Sequence, residues 1–356
     1  MKFITQIIRI LVGITFIFSG FVKMIDPVGT KIKMLEYFSE EVLNLTFLNN
    51  YALEISIFLI LVEFALGVWL LLGYRKKFTI ASLLVLISFF LFLTWYSAYY
   101  NAVTDCGCFG DAVKLSPWAT FYKNVILIGL IAWIWWQQKY INPLFSKKIR
   151  TALAHGTTLL ALLLMIYSVR HLPLIDFRPY AVGKNIQECM QIPEGAPKAA
   201  FKDIWYYKVD GQVKEFSNED EPWNIPGAEF VDRKTITLSE GYTPPIHDFS
   251  IENESDGDIT EAVLNAADIY LIISSNPQHI SDKAKHKANE KAKELLKQGK
   301  KVIGMFSQTD KTLQQKFAFP LYLTDETTLK TMIRSNPGLI ELNSGTVVRK
   351  WAWRDF

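Results

Sequence analysis

At 356 residues the chain has room for two domains of ordinary size. Half of it is apolar and 14% aromatic; a net charge of +3 is too small to argue for nucleic acid, and three cysteines exclude a disulfide framework or a zinc cluster. The apolar residues crowd into the first 170 positions and most charges follow Phe177, which separates a lipid-solvated half from a water-solvated half.

A spanning helix needs about 20 mostly apolar residues. Residues 3–22 form the first such run; Lys2 and Ser19-Gly20 also suit a signal peptide, but the run is too long and Arg9 interrupts it. Residues 28–44 place Ile32, Leu35, Phe38 and Val42 at helical spacing, which fits an amphipathic helix lying in the interface or an ordinary packed loop helix. Residues 52–72, 78–99 and 118–137 are the next spans, the last opened by Ser116 as a cap and Pro117 in the first turn. Residues 152–169 make a weaker fifth span, because His155, Gly156, Thr157 and Thr158 dilute it.

Positive charge in short loops sets orientation. With the N-terminus inside, Lys2, Arg75, Lys76, Lys77, Lys139, Lys147, Lys148 and Arg150 fall on the inner side. The outer loops hold Lys23, Lys31, Lys33 and Lys114, diluted by Glu36, Glu40, Glu41, Asp105 and Asp111. Five spans then put the Cys106–Cys108 loop and the C-terminal domain outside.

The run Arg9-Ile10-Leu11-Val12-Gly13, then Phe18-Ser19-Gly20-Phe21-Val22-Lys23 and Asp26-Pro27, resembles the opening of DoxX family membrane proteins. Glu63-Phe64-Ala65-Leu66-Gly67 and Leu71-Leu72-Gly73 continue the likeness, and Asp105-Cys106-Gly107-Cys108-Phe109-Gly110-Asp111 is similar to a loop of the related methylamine-utilisation MauE proteins. The resemblance covers residues 1–140 as a four-helix transmembrane bundle, with 141–170 as the fifth helix. It implies thiol–disulfide chemistry or quinone-coupled sulfur oxidation.

Independently of any family, Arg9 and Glu63 stand out, since a charge inside a membrane is expensive and usually paired. They are expected to pair with each other, either fixing helix register or anchoring a quinone or lipid site. Trp95, Tyr96, Tyr99, Tyr100, Trp118 and Tyr122 would line that site or form an interfacial aromatic belt.

Residues 171–200 read as a linker, because Pro173, Pro179, Gly183, Pro193, Gly195 and Pro197 break regular structure. Asp210-Gly211 between 205–209 and 212–216 is a hairpin signal, so 171–239 is a linker and β-hairpin region. Strand and helix then alternate: a buried strand at 269–275, a helix at 281–298, strands at 301–306 and 321–323, a helix at 325–334, and a hairpin of 338–343 with 346–351.

That order, with Pro245-Ile246-His247-Asp248-Phe249 and Asn336-Pro337-Gly338-Leu339-Ile340, resembles a thioredoxin-like domain over 240–356, and the likeness implies a cis bond before Pro337. Active relatives carry reactive cysteine where this chain reads Ser274-Ser275-Asn276-Pro277-Gln278-His279-Ile280-Ser281, so the domain has no thiolate for exchange. The eight lysines of 281–301 read as a solvated face or a contact for lipid headgroups, Cys189 as an unremarkable thiol, and His247, His279 and His286 as lacking metal-ligand spacing.

The fold expectation is therefore an α-helical transmembrane bundle followed by an α/β thioredoxin-like domain. In function it is a thiol–disulfide oxidoreductase of the bacterial inner (cytoplasmic) membrane, with Cys106 and Cys108 passing electrons between a periplasmic protein thiol partner and a membrane carrier such as quinone. Gly107 lets the two thiols meet across one residue, and so small a ring is strained and labile. The competing reading is a non-enzymatic scaffold that presents a redox-silent thioredoxin-like module. A transporter is weaker still, for no inverted repeat or broken helix pair is visible.

Overall fold

A computed structural model describes residues 1–103, 107–113, 115–239 and 241–356. Six helices lead the chain: α1 (Lys2–Ile25), α2 (Pro27–Phe38), α3 (Ala52–Leu72), α4 (Lys76–Tyr100), α5 (Pro117–Trp136) and α6 (Lys147–Arg170). All but α2 are long and apolar enough to cross a bilayer, so the chain is a multi-pass membrane protein. Their outward faces expose Phe78, Val85, Ile126 and Leu160, which a bilayer would cover. Ser116 accepts from the amide of Ala119 with Pro117 behind it, so α5 opens as its sequence specifies.

Helices α1 and α3 run antiparallel and touch through glycine. A Cβ at Gly20 would lie 2.9 Å from the backbone of Phe64, and one at Gly67 would lie 2.9 Å from the amide nitrogen of Ile17. Small residues permit such approach between membrane helices, where packing replaces the hydrophobic drive. Helix α2 is a packed helix, because Met34, Tyr37 and Phe38 are buried against Ala52, Leu93 and Val103. Its cap is Asp26, whose carboxylate accepts from the amide of Gly29 at 2.9 Å.

Beyond the bundle lie α7 (Ile186–Met190) and an antiparallel sheet of β1 (Ala200–Val209), β2 (Gln212–Phe216) and β3 (Glu229–Ser239), ordered β2-β1-β3. Asp210 and Gly211 take positive φ at the expected turn. Strand β3 escapes sequence reading: it is exposed along its whole length and carries Asp232-Arg233-Lys234, so no alternation marks it.

The last unit comprises β4 (Glu252–Asn253), β5 (Gly257–Asp258), α8 (Thr260–Leu264), β6 (Ile269–Ser274), α9 (Asp282–Lys297), β7 (Lys301–Phe306), α10 (Lys311–Gln314), β8 (Leu321–Leu323), α11 (Glu326–Met332), β9 (Gly338–Asn343) and β10 (Thr346–Ala352). Its sheet is ordered β10-β9-β6-β7-β8-β4-β5, with β6, β7 and β8 parallel and β9 antiparallel to β6. Strand β6 is buried almost throughout, as a central parallel strand must be. Helix α9 buries Ala284, Ala288, Ala292 and Leu295 at one-turn spacing and leaves its lysines in solvent. The Asn336–Pro337 bond is cis, in line with the sequence reading.

The expected linker needs correction. Tyr180 and Ile186 belong to the sheet's hydrophobic core, the amide of Gly183 donates to the carbonyl of Val347, and that of Val347 donates to the carbonyl of Lys184. Residues 180–190 are therefore part of the α/β unit. Gly183 there marks a turn in packed chain, a distinction that composition does not carry.

Candidate functional site

Helix α1 continues to Ile25, one turn beyond the expected span, and so draws Lys23 out of the outer loop into the bundle. Its ammonium lies 2.7 Å from the carboxylate of Glu63 on α3, and both side chains are below one-tenth exposed. The same ammonium stands 5.1 Å from the centre of the Phe90 ring. An ion pair this far from water survives only when each charge has its partner.

The expected pairing of Arg9 with Glu63 is overturned. The Arg9 guanidinium donates to the carbonyls of Leu70 at 2.9 Å and Asn142 at 3.1 Å, to that of Leu71, and to the Gln6 side chain. Leu70 and Leu71 lie in the last turn of α3, where Gly73 turns with φ +65° and the final C=O groups lack the regular helical donor. The antiparallel register sets Arg9 level with residues 70–73, about 10–15 Å along α3 from Glu63 at 1.5 Å per residue. That exceeds an arginine's reach. Lys23 was legible as the partner only if α1 had been run through Phe21-Val22-Lys23 to the Asp26-Pro27 stop.

Of the two candidate cysteines, Cys106 lies outside the described residues, as do Asp105 and Lys114. Cys108 is half-buried, and its carbonyl accepts from the hydroxyl of Ser19, one turn before Lys23 on α1. Two cavities, of about 40 Å³ and 20 Å³, flank the Lys23–Glu63 pair, and Cys108, Lys23, Glu63 and Phe90 line both. Each has room for a water-sized molecule. Neither holds a quinone ring, and none of the six candidate aromatic residues lines them. Those aromatics instead cluster at the end of α4 and the start of α5, with Trp95 stacked on Tyr99 and Trp118 beside Tyr122, all four exposed.

Above the loop opens a cleft of about 1110 Å³ between the bundle and the α/β unit. Gly107, Gly110 and Asp111 lie on its floor; Pro245, His247 and Thr331 are in its roof. The two sides are joined by Arg334, which donates to Asp26 at 2.7 Å and to Asp111 at 3.0 Å and is almost wholly buried. Burial works against the arginine's charge, yet Asp26 and Asp111 outweigh it and hold the guanidinium above its ordinary range. Asp26 thus caps α2 with one oxygen and receives Arg334 with the other. This junction went unread in the sequence, since its members are 308 positions apart.

Nearby, Asp176 binds both Arg178 at 2.7 Å and Lys350 at 2.8 Å. Burial favours its neutral form, but the two cations hold its carboxyl below the usual range. Burial and the neighbouring Arg178 push Lys350 down to about 8.

In the window that lacks cysteine, Ser274 donates to the side chain of Asn336 at 2.6 Å, and Asn336 donates back to the carbonyl of Asn276 at 2.8 Å. Cys189 packs against the α/β core and donates weakly to the carbonyl of Pro179 at 3.7 Å. His247 pairs with Asp248 and His286 with Glu290, and His279 meets the side chain of Asn276. Among the described residues no group of His, Cys, Asp and Glu could hold a metal ion.

Residues 1–137 match the family described as methylamine utilisation protein MauE. Protein TlpB of Flavobacterium psychrophilum is 28% identical over 136 residues, 37% of this chain and 36% of that protein. The chain thus spans about a third of the length of the curated relative it matches. No solved structure matches it. The family match ends just past α5, so it takes in four of the five spanning helices, the packed helix α2 and the loop that bears Cys108: this is a multi-pass membrane protein whose residues 1–137 are similar to the MauE family.

Proposed function

We propose that the protein is a membrane-bound thiol–disulfide redox protein whose working group is Cys106-Gly107-Cys108. The observation that carries this reading is the position of the loop. Gly107 borders a cleft wide enough for a segment of another protein, while Cys108 borders two cavities around a buried ion pair. A thiolate of the loop attacks a disulfide of the partner, and one partner thiol leaves. The second loop thiol then attacks the mixed disulfide, so that Cys106–Cys108 closes as the other partner thiol leaves. Two electrons pass to the partner and both loop protons end on its thiols. A quinone does not fit the cavities beside Cys108, of about 40 Å³ and 20 Å³.

Positive loops put the N-terminus inside a bacterial inner membrane and the cleft on the periplasmic face. Arg334 favours the same arrangement, because it ties the α/β unit to the side of the bundle that bears Cys108. A reporter fused after Phe356 should be active only outside the cytoplasm; cytoplasmic activity overturns the orientation. Thiol trapping in cells tests the chemistry. Cys106 and Cys108 should shift between reduced and oxidised forms with added oxidant or reductant, and Cys106→Ser should abolish closure of the loop disulfide, stopping exchange at the mixed disulfide, while the chain remains inserted.

If both thiols stay reduced and unreactive under oxidising conditions, the scaffold reading takes over. It is favoured by Ser274 and Asn276, which stand where a thioredoxin-like domain would carry its reactive cysteine and are hydrogen-bonded to Asn336. The parallel β6-β7-β8 core and the β9–β10 hairpin support that likeness of fold.

A further inference from the structure

Cys108 is half-buried and borders two water-sized cavities, so a base that lines them can take its proton through a water at neutral pH, where hydroxide is scarce. Of the described residues lining the two cavities beside Cys108, Glu63 is the one carboxylate. The other titratable groups around them are Lys23, Lys33 and Tyr37 in one and Lys23 and Lys123 in the other. Lys33 is engaged with Glu36 at 3.0 Å, and Lys123 stands over the Phe109 ring at 4.5 Å. On the loop itself, Asp111 is taken by Arg334. The hydrogen bond from Ser19 fixes the backbone of Cys108 one helical turn from Lys23.

We infer that Glu63 is the proton acceptor for the Cys108 thiol, with Lys23 as the cation that balances first the carboxylate and then the thiolate. The inference rests on the redox reading above. The S–H bond of Cys108 breaks, the proton crosses through a cavity water to a Glu63 oxygen, and the electron pair stays on sulfur. Before the transfer the site holds an ammonium and a carboxylate; afterwards it holds the same ammonium and a thiolate. No net charge is created inside the bundle, which is the condition a low-dielectric site imposes on any ionisation. When the thiolate attacks a partner disulfide, a new S–S bond forms as the partner's breaks, and the departing sulfur takes the proton back from Glu63.

The test uses the full chain in detergent with Cys106→Ser and Cys189→Ser, so that Cys108 is its single thiol, and a dipyridyl disulfide as the probe. Glu63→Gln should slow the reaction at pH 7 by about 100-fold, with the rate recovering as pH rises and hydroxide takes over the proton. Glu63→Asp should keep most of the neutral-pH rate. A pair that only holds the helices together would lower thermal stability and leave this pH profile unchanged. Should Glu63→Gln fail to fold, Lys23→Met with Glu63→Gln replaces the ion pair by a neutral one and reads the same loss. The inference is overturned if Glu63→Gln reacts at the parent's rate and with its profile. If the parent chain itself stays unreactive at every pH, the redox reading falls and the inference goes with it.

Discussion

The two ends of the α1–α3 contact each bury a basic side chain, and they do so in opposite ways. At the end nearer the N-terminus of α1, Arg9 spreads its donors over backbone carbonyls of Leu70, Leu71 and Asn142. At the other end, Lys23 meets one carboxylate, beside a thiol and two small cavities. Five donors in a fixed fork suit the first task, and a compact ammonium suits the second. A charge that closes a helix end has nothing to exchange. A charge balanced by another charge can pass its counter-ion from carboxylate to thiolate, so the same cost of burial is structural at one end and chemical at the other.

The sharpest way to break this comparison is to remove Lys23. Lys23→Met strands the Glu63 carboxylate in the bundle and should cost about 3–5 kcal/mol in detergent unfolding, while the double change with Glu63→Gln costs less than the sum of the singles. Strict additivity there would dissolve the Lys23–Glu63 pair.

Arg9→Met should cost about 3 kcal/mol, from charged hydrogen bonds lost at the end of α3. Combined with Glu63→Gln it should add within about 0.5 kcal/mol, because the two sites share no partner. Coupling between Arg9 and Glu63 in the same assay would erase the division into two ends.

A third test moves to the junction that roofs the Lys23 end. Arg334→Gln frees Asp26 and Asp111 and should raise amide exchange over residues 107–113 by about 30-fold, for a loss of about 2 kcal/mol in docking. Unchanged protection would mean that the cleft does not depend on this arginine.

The smallest effect is in pH. The carboxyl of Asp176 is held below its unfolded value, so the unfolded chain binds that proton more readily, and the stabilisation is present above pH 3.8. It should fade as pH falls through and below that value, and Asp176→Asn should flatten this part of the acid-unfolding curve. An acid limb identical in both proteins refutes the contribution.

Hydrophobic runs of about 20 residues and the 3.6-residue period of amphipathic segments are local properties, and the sequence by itself determined what rests on them. Helix α3 and strands β7 and β8 fall where their patterns put them, and α5 and the Asp210-Gly211 turn open on the residues that demand them. Glu63 stood out for the same reason, since a carboxylate within such a run is visible without a fold. Its partner was not visible. Whether Glu63 faces Arg9 or Lys23 depends on how far α1 slides along α3, and that is fixed by Gly20 against Phe64 and Gly67 against Ile17. Strand β3 was hidden because a strand exposed on both faces leaves no period, and the packed course of residues 180–190 because turn residues look alike in tethers and cores. Arg334 reaching Asp26 and Asp111 is a matter of tertiary structure alone: nothing near position 334 records which carboxylates lie across the cleft, because the energy that joins them exists only once both halves are folded and face each other.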